Sequence, residues 1–194
     1  MADGHFSVVV HGTVEGAECT AAGMMYCRST LVKGPDWTLS AHSGEHANTV
    51  DVVTQMSERL PGPDPKFTWN TPFEFALTST SVHGWPQVAF SLLTTGGAGA
   101  EQVVAYARCH VPLFSGKKRI ELPLMQPMQS SPANQTWASI SGHVTELRDV
   151  AFLCSNDDRT VVTMKPVPGY ITVCFDVTVS GRQALVYSVG SKKG

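Results

Sequence analysis

Apolar residues recur along this chain at every second position or in short solid runs, and few windows carry the stripe of an amphipathic helix. The pattern therefore predicts strands. Phe6–His11 (FSVVVH) reads as a buried strand, and Met24–Val32 (MMYCRSTLV) as a second, stopped by Gly34-Pro35. Thr49–Gln55 mixes valines with polar residues. Leu60–Pro65 (LPGPDP) is a loop. In Phe67–Trp69 and Phe73–Leu77 aromatic and polar residues alternate, which places the rings on one face; Asn70-Thr71-Pro72 joins the two pieces. Gln87–Leu93 follows Gly84-Trp85-Pro86, and Gly96–Gly99 is a turn. Val103–Val111 alternates cleanly, and Lys118–Leu124 follows Ser115-Gly116. Gln129–Gln135 reads as loop, while Trp137–Leu147 fits a short helix or an irregular strand. Arg159–Met164 and Tyr170–Val179 close the series across a proline-rich turn.

That makes about eight or nine strands without βαβ alternation, so the expected fold is all-β, an antiparallel two-sheet sandwich. One short helix has room between residues 130 and 150. No linker divides the strands, so one domain is expected over residues 6–180, with a flexible N-terminus at 1–5 and a tail at 181–194.

Composition narrows the function classes. The chain of 194 residues is 42% hydrophobic and 15% charged, which excludes general disorder. A net charge of -2 excludes a strongly basic nucleic-acid binder. No apolar run is long enough to span a bilayer, and the N-terminus MADGHFSVVVHG has neither the basic start nor the sustained apolar core of a secretory signal. Five cysteines (Cys19, Cys27, Cys109, Cys154 and Cys174) are an odd number with no CxxC pair, which points to free thiols in the cytoplasm. Asn134-Gln135-Thr136 then matches a glycosylation acceptor by chance.

Three stretches carry a resemblance. The first is Val10-His11-Gly12-Thr13-Val14-Glu15, then Tyr26-Cys27-Arg28, then Gly34-Pro35-Asp36-Trp37. The second runs from Trp69-Asn70-Thr71-Pro72-Phe73-Glu74-Phe75 to His83-Gly84-Trp85-Pro86-Gln87-Val88. The third is Tyr106-Ala107-Arg108-Cys109-His110-Val111-Pro112 followed by Ser115-Gly116. In order and spacing they resemble the B9-domain family, a divergent branch of the C2-type sandwiches. Ala105 and Ala107 stand where that family more usually has glycine, and the proline before Gly116 is missing. The resemblance covers about residues 6 to 125 and, more weakly, 159 to 179. It marks Trp37, Trp69, Pro72, Gly84, Trp85, Pro86, Tyr106, His110, Pro112 and Gly116 as structural signature positions. It implies a C2-like fold and a non-enzymatic scaffold in a B9-containing (Meckel syndrome-type) complex at the ciliary transition zone and basal body. That role serves cilium assembly and gates membrane-protein entry. The implied partners are sibling B9-domain proteins and transition-zone membrane proteins.

The residues themselves leave alternatives open. Gly84-Trp85-Pro86 suits a structural corner, because glycine permits φ > 0 and proline fits the first residue of a strand; Trp85 as a partner anchor is the other reading. His110 would hydrogen-bond a carbonyl inside the fold or serve an interface, and Tyr106 shares its strand face. Trp37 and Trp137 lie outside regular strands, where aromatic anchors favour an interface of about 800 Å² per partner.

No reactive constellation stands out. Calcium needs several converging carboxylates, yet only Asp157-Asp158 is a pair and no D-x-D spacing occurs. Zinc wants close Cys or His pairs, and His42 and His46 are the nearest approach. Cys27 and Cys109 sit in apolar strands, where a thiol acts as a small hydrophobe; a cysteine hydrolase is the enzyme class left to exclude. No cofactor or metal is expected. The one basic run, Lys117-Lys118-Arg119, stands beside the apolar Leu113-Phe114. It reads as a solvated strand edge, a protein contact, or a weak contact with anionic lipid headgroups, as in a stand-alone calcium-independent lipid-binding module; Lys192-Lys193 would add to it.

Overall fold

A computed structural model describes residues 5–40, 51–60, 62, 65–96, 99–128, 145–155 and 163–181. Among them are ten strands: β1 (Phe6–Cys19), β2 (Met24–Val32), β3 (Thr38–Leu39), β4 (Asp51–Val53), β5 (Ser57–Glu58), β6 (Lys66–Ser79), β7 (Gln87–Thr95), β8 (Glu101–His110), β9 (Gly116–Pro127) and β10 (Met164–Ser180). A single 3-10 helix spans Val150–Cys154, with the Asp149 side chain accepting the Ala151 N–H as its cap. The count exceeds the sequence expectation because β3, β4 and β5 have only two or three residues, too few to show alternation.

The strands form one antiparallel ribbon in the order β3-β6-β1-β10-β9-β8-β7-β2-β4, with β5 also on β2. The ribbon folds into two layers at β8/β9, where the ladder is reduced to the single pair Tyr106↔Met125. One layer is β3, β6, β1, β10 and β9; the other is β8, β7, β2, β4 and β5. Their inner faces share one core. Val8, Val10, Phe73, Phe75, Leu122, Phe175 and Val177 of the first layer meet Leu31, Val88, Phe90, Leu92, Ala105 and Ala107 of the second. This is the antiparallel two-sheet sandwich expected from the strand list.

One pair of expected strands is a single strand. Phe67–Trp69 and Phe73–Leu77 both belong to β6, which runs through Asn70 at φ 49. Pro72 is accommodated because β3 covers this edge only at Leu77 and Thr78, so its missing N–H is not needed by a neighbour on that side. Asn70 lies in a bend that crosses three strands. Between the same two rungs β6 takes three steps (Thr71 to Thr68), β1 takes two (Val14 to Gly16) and β10 takes one (Val173 to Thr172). Buried positions on β1 accordingly switch from even numbers (Phe6, Val8, Val10, Val14) to odd ones (Ala17, Cys19), with Glu15 as the extra residue. The expected turn between two late strands is likewise a bulge inside β10, where Pro168 and Gly169 fall out of register with β9.

The outer face of the second layer is also apolar. Tyr26, Ala89, Leu93, Val103 and Tyr106 pack under Leu153 and Cys154 of the 3-10 helix. Glu146 accepts the Val103 N–H at 3.2 Å, Leu147 N–H donates to the Tyr106 hydroxyl at 3.0 Å, and Gln87 Nε2 donates to the Cys154 carbonyl at 2.9 Å. Residues 145–155 thus form a strap across β7 and β8. Most of the ambiguous stretch 126–158 (including Trp137, Asn134 and Asp157-Asp158), together with His42, His46, residues 159–162, Lys192 and Lys193, lies outside the described residues.

Candidate interaction surface

Parts of the three sequence stretches, Gly34–Trp37, His83–Gln87 and His110–Pro112, meet at one end of the sandwich, where β1, β9 and β7 begin and β2, β6, β8 and β10 finish. The loop after β2 meets the loop before β7: Gly34 N–H donates to the Gly84 carbonyl at 2.9 Å, and Trp37 Nε1–H to the His83 carbonyl at 2.9 Å. The loop before β7 clasps the end of β8 in turn. Val111 N–H donates to the Pro86 carbonyl at 3.0 Å, and Trp85 Nε1–H to the Val111 carbonyl at 2.8 Å. Phe6, Trp37 and Trp85 fill the space between, with Trp37 edge-on to both other rings.

Trp37 is completely buried, which overturns its reading as an interface anchor and leaves it a structural position. Its loop tucks beneath residues 83–85, so the ring belongs to the core although it lies outside a strand. Trp85 is half-buried with its N–H satisfied, the arrangement of a structural corner. Trp69, in β6, donates to the Met25 carbonyl at 3.2 Å and ties the layers together at the other end. The expectation for His110 also changes. The residue is largely exposed and makes no hydrogen bond to a carbonyl of the described residues; the burial it does have and the neighbouring Arg108 push its pKa below the usual histidine value. Tyr106 spends its hydroxyl on the strap through Leu147.

This clasp supports the β8–β9 loop. Pro112 is half-buried, Ser115 Oγ accepts the Val179 N–H at 3.0 Å, and Gly116 turns into β9 at φ 129. Between these anchors Leu113 and Phe114 project 58% and 78% exposed.

The basic run that follows does not act as one patch. Arg119 is held on the outer sheet face by Glu15 at 2.8 Å and Glu121 at 3.3 Å. Sequence reasoning missed Glu15 as its partner because β10 separates their strands. Lys117 lies 3.9 Å from Asp176 with its side chain 80% exposed, and Lys118 makes no ion pair with a described residue. A shallow depression of about 280 Å³ opens at the bend on the same outer face, lined by Glu15, Glu18, Lys66, Asn70, Arg119 and Tyr170. Its charges are paired: Tyr170 donates to Glu18 at 2.5 Å and Lys66 lies 3.3 Å from the same carboxylate. The Tyr170 hydrogen bond, more than Lys66, holds the Glu18 pKa below its ordinary value.

The thiols are placed for packing. Burial pushes Cys27 and Cys109 up to about 12 and Cys154 to about 11, and Cys19 rises for the same reason. A thiol so raised holds almost no thiolate near neutral pH. Among the described residues no three His, Cys, Asp or Glu side chains are grouped to hold a metal, and no helix is long and apolar enough to cross a membrane.

Over residues 8–178 the chain matches the family model B9-C2, described as ciliary basal body-associated B9 protein. The B9 domain-containing protein 1 of Xenopus laevis is 27% identical over 96% of this chain and 90% of its own length. The human protein of that name is 25% identical over 95% and 87%. B9 domain-containing protein 2 of Rattus norvegicus is 25% identical over 63% and 66%. Among solved structures, the C2A domain of plant Extended Synaptotagmin 1 aligns over 88% of this chain and 93% of its own, with a TM-score of 0.44 and 11% identity. The family match takes in almost all of the described sandwich, and the chain belongs to the B9 family of ciliary basal body-associated proteins.

Proposed function

We propose that this chain is a non-enzymatic scaffold subunit of a B9-containing complex at the ciliary transition zone, on the cytoplasmic side of the ciliary membrane. It joins sibling B9-domain proteins to transition-zone membrane proteins, and so serves cilium assembly and the gating of membrane-protein entry. The observation that carries this reading is the family match over residues 8–178, together with the use of its motifs. Gly34, Trp37, Gly84, Trp85, Pro86 and Val111 are all spent on making one corner rigid. The cysteine-hydrolase alternative lacks a physical basis in Cys27, Cys109 and Cys154, whose thiols are raised to about 11 or 12 by burial. A scaffold needs shape that persists, and this corner supplies it.

The test is affinity purification of the tagged chain from ciliated cells, with imaging of its position. The expected result is stoichiometric recovery of B9-domain relatives and a signal at the ciliary base. Recovery without such relatives, with the signal spread through the cell, overturns the reading.

A further inference from the structure

We propose that the uncovered edge of β9 takes up an extended acidic segment of a partner protein as an added β-strand. The direction of each backbone group on β9 follows from its ladder with β10. Met128 N–H donates to the Thr163 carbonyl, one step beyond the pair Met164↔Pro127. Bonded positions alternate in an antiparallel ladder, so the even-numbered residues of β9 turn their N–H and C=O groups to β10. The register shift between these strands adds residues only on β10, so the alternation holds along all of β9. The odd-numbered residues face away from β10. Met125 uses that direction to pair with Tyr106, and the Gln126 side chain beside it donates to the Val104 carbonyl.

Nearer the start of β9 nothing takes that place. The outward N–H and C=O groups of Lys117, Arg119 and Glu121 have no hydrogen-bond partner among the described residues. Pro123 also stands at an outward position, where its missing N–H costs the ladder with β10 nothing, and it ends the free stretch. The other edge of the same layer is closed by contrast. Along β6 the Ala76 carbonyl accepts the Ser40 N–H, the Trp69 carbonyl accepts Gln55 Nε2, and the Lys66 carbonyl accepts the Leu60 N–H. A free row of alternating donors and acceptors is what an added strand pairs with.

Charge selects the occupant. The Lys117 side chain is 80% exposed with only the long contact to Asp176, and Lys118 has no ion pair with a described residue. Arg119 is neutralised by Glu15, and it occupies Glu121 as well. Two lysines therefore stand at the edge without a close counter-charge. Such cations keep like edges apart, and they attract a strand that brings carboxylates. Ile120, between them and Leu122, is half-buried against the core, so the residue of the added strand that faces it is apolar. The fitting segment thus alternates acidic and apolar side chains. A strand-accepting edge gives a scaffold one way to hold a partner, but the inference rests on the edge geometry and not on that role.

The experiment uses the purified full chain and a fluorescein-labelled peptide that alternates glutamate and valine, with lysine in place of glutamate in the control peptide. The glutamate peptide should bind and the lysine peptide should not, and the binding should weaken as salt rises. On binding, hydrogen exchange read by NMR should slow at the amides of Lys117, Arg119 and Glu121. The amides of Lys118, Ile120 and Leu122, already bonded to β10, should not change. K117Q/K118Q should weaken binding about fivefold. Glu121→Pro removes an outward N–H that the fold does not use, so it should weaken binding about tenfold while the unfolding midpoint stays near that of the parent. Equal binding of the two peptides overturns the proposal, and so does binding that leaves exchange at Lys117, Arg119 and Glu121 unchanged. Slowing of those same amides in the chain alone as its concentration rises means that a second copy fills the edge, and this overturns it too. The exchange pattern is read on the parent chain, so it decides the matter even where the proline variant is less stable. No ciliary partner enters the measurement, so its outcome is separate from that of the scaffold function.

Discussion

Gly34 and Gly84 lie backbone against backbone. A Cβ on Gly34 would sit 2.7 Å from the Gly84 Cα, and one on Gly84 would sit 2.5 Å from the Gly34 Cα. Gly84 also has φ +63, a conformation glycine adopts without penalty. The two loops touch through the only residue type that lets them.

Gly84→Ala should therefore be strongly destabilising. Left-handed backbone strain costs about 1–2 kcal/mol, and the overpacked contact about 1–3 more. Urea denaturation should show a loss near 3 kcal/mol. A loss below about 0.5 kcal/mol, the usual range for a surface change, would mean that the two loops do not rely on this contact.

Trp37→Ala tests whether that tryptophan serves the core or a partner. Its ring is buried against Phe6 and Trp85, and its N–H satisfies the His83 carbonyl. The expected cost is about 3–5 kcal/mol, seen as a large fall in the thermal midpoint. Unchanged stability with loss of a binding partner would return Trp37 to an interface.

Tyr106→Phe removes the hydroxyl that accepts the Leu147 N–H. About 1 kcal/mol should be lost, with faster hydrogen exchange confined to residues 145–155. Faster exchange spread evenly over β7 and β8 would show that the hydroxyl supports the sheet itself.

The buried thiols should resist alkylation in the native chain. With Cys27 and Cys109 raised to about 12 and Cys154 to about 11, iodoacetamide at mildly alkaline pH should modify them only after unfolding. Mass spectrometry of labelled native protein reads this directly. One of these three reacting faster than free thiol would bring back the nucleophile reading.

The same shifts fix the sign of an alkaline transition. In the folded chain Cys27 and Cys109 hold their protons to about pH 12, and in the unfolded chain to about their ordinary 9.0. Tyr26 rises from 10.0 to about 12, chiefly by burial. Between these values the unfolded state binds fewer protons, so stability falls as pH rises. The contribution is complete below pH 9.0 and is lost progressively toward about 12. Denaturation midpoints that stay flat from pH 8 to 11 would contradict it.

Alternation made β8 and the central part of β10 legible, because each side chain there reports its own face. The break at Asn70-Thr71-Pro72 was misleading for the opposite reason. Whether a proline ends a strand depends on whether a neighbour needs its N–H, and that is a property of the edge beside β6. Trp37 suggested an interface anchor because its loop lies outside a strand, whereas its burial is decided by residues 83–85, far along the chain. The basic run was visible, but its division was not. Arg119 finds Glu15 across an intervening strand, a pairing that appears only once β1, β10 and β9 lie side by side.

The unequal steps around Asn70 have a consequence for how this molecule can vary. Neighbouring strands there are like lanes on a running track, with the longest path on β6 and the shortest on β10. The curvature is written as residue count. Shortening one lane, for instance by deleting Glu15, would not merely flatten the turn: every β1 side chain beyond it would swap faces, so that Ala17 and Cys19 pointed to water and Glu18 into the core.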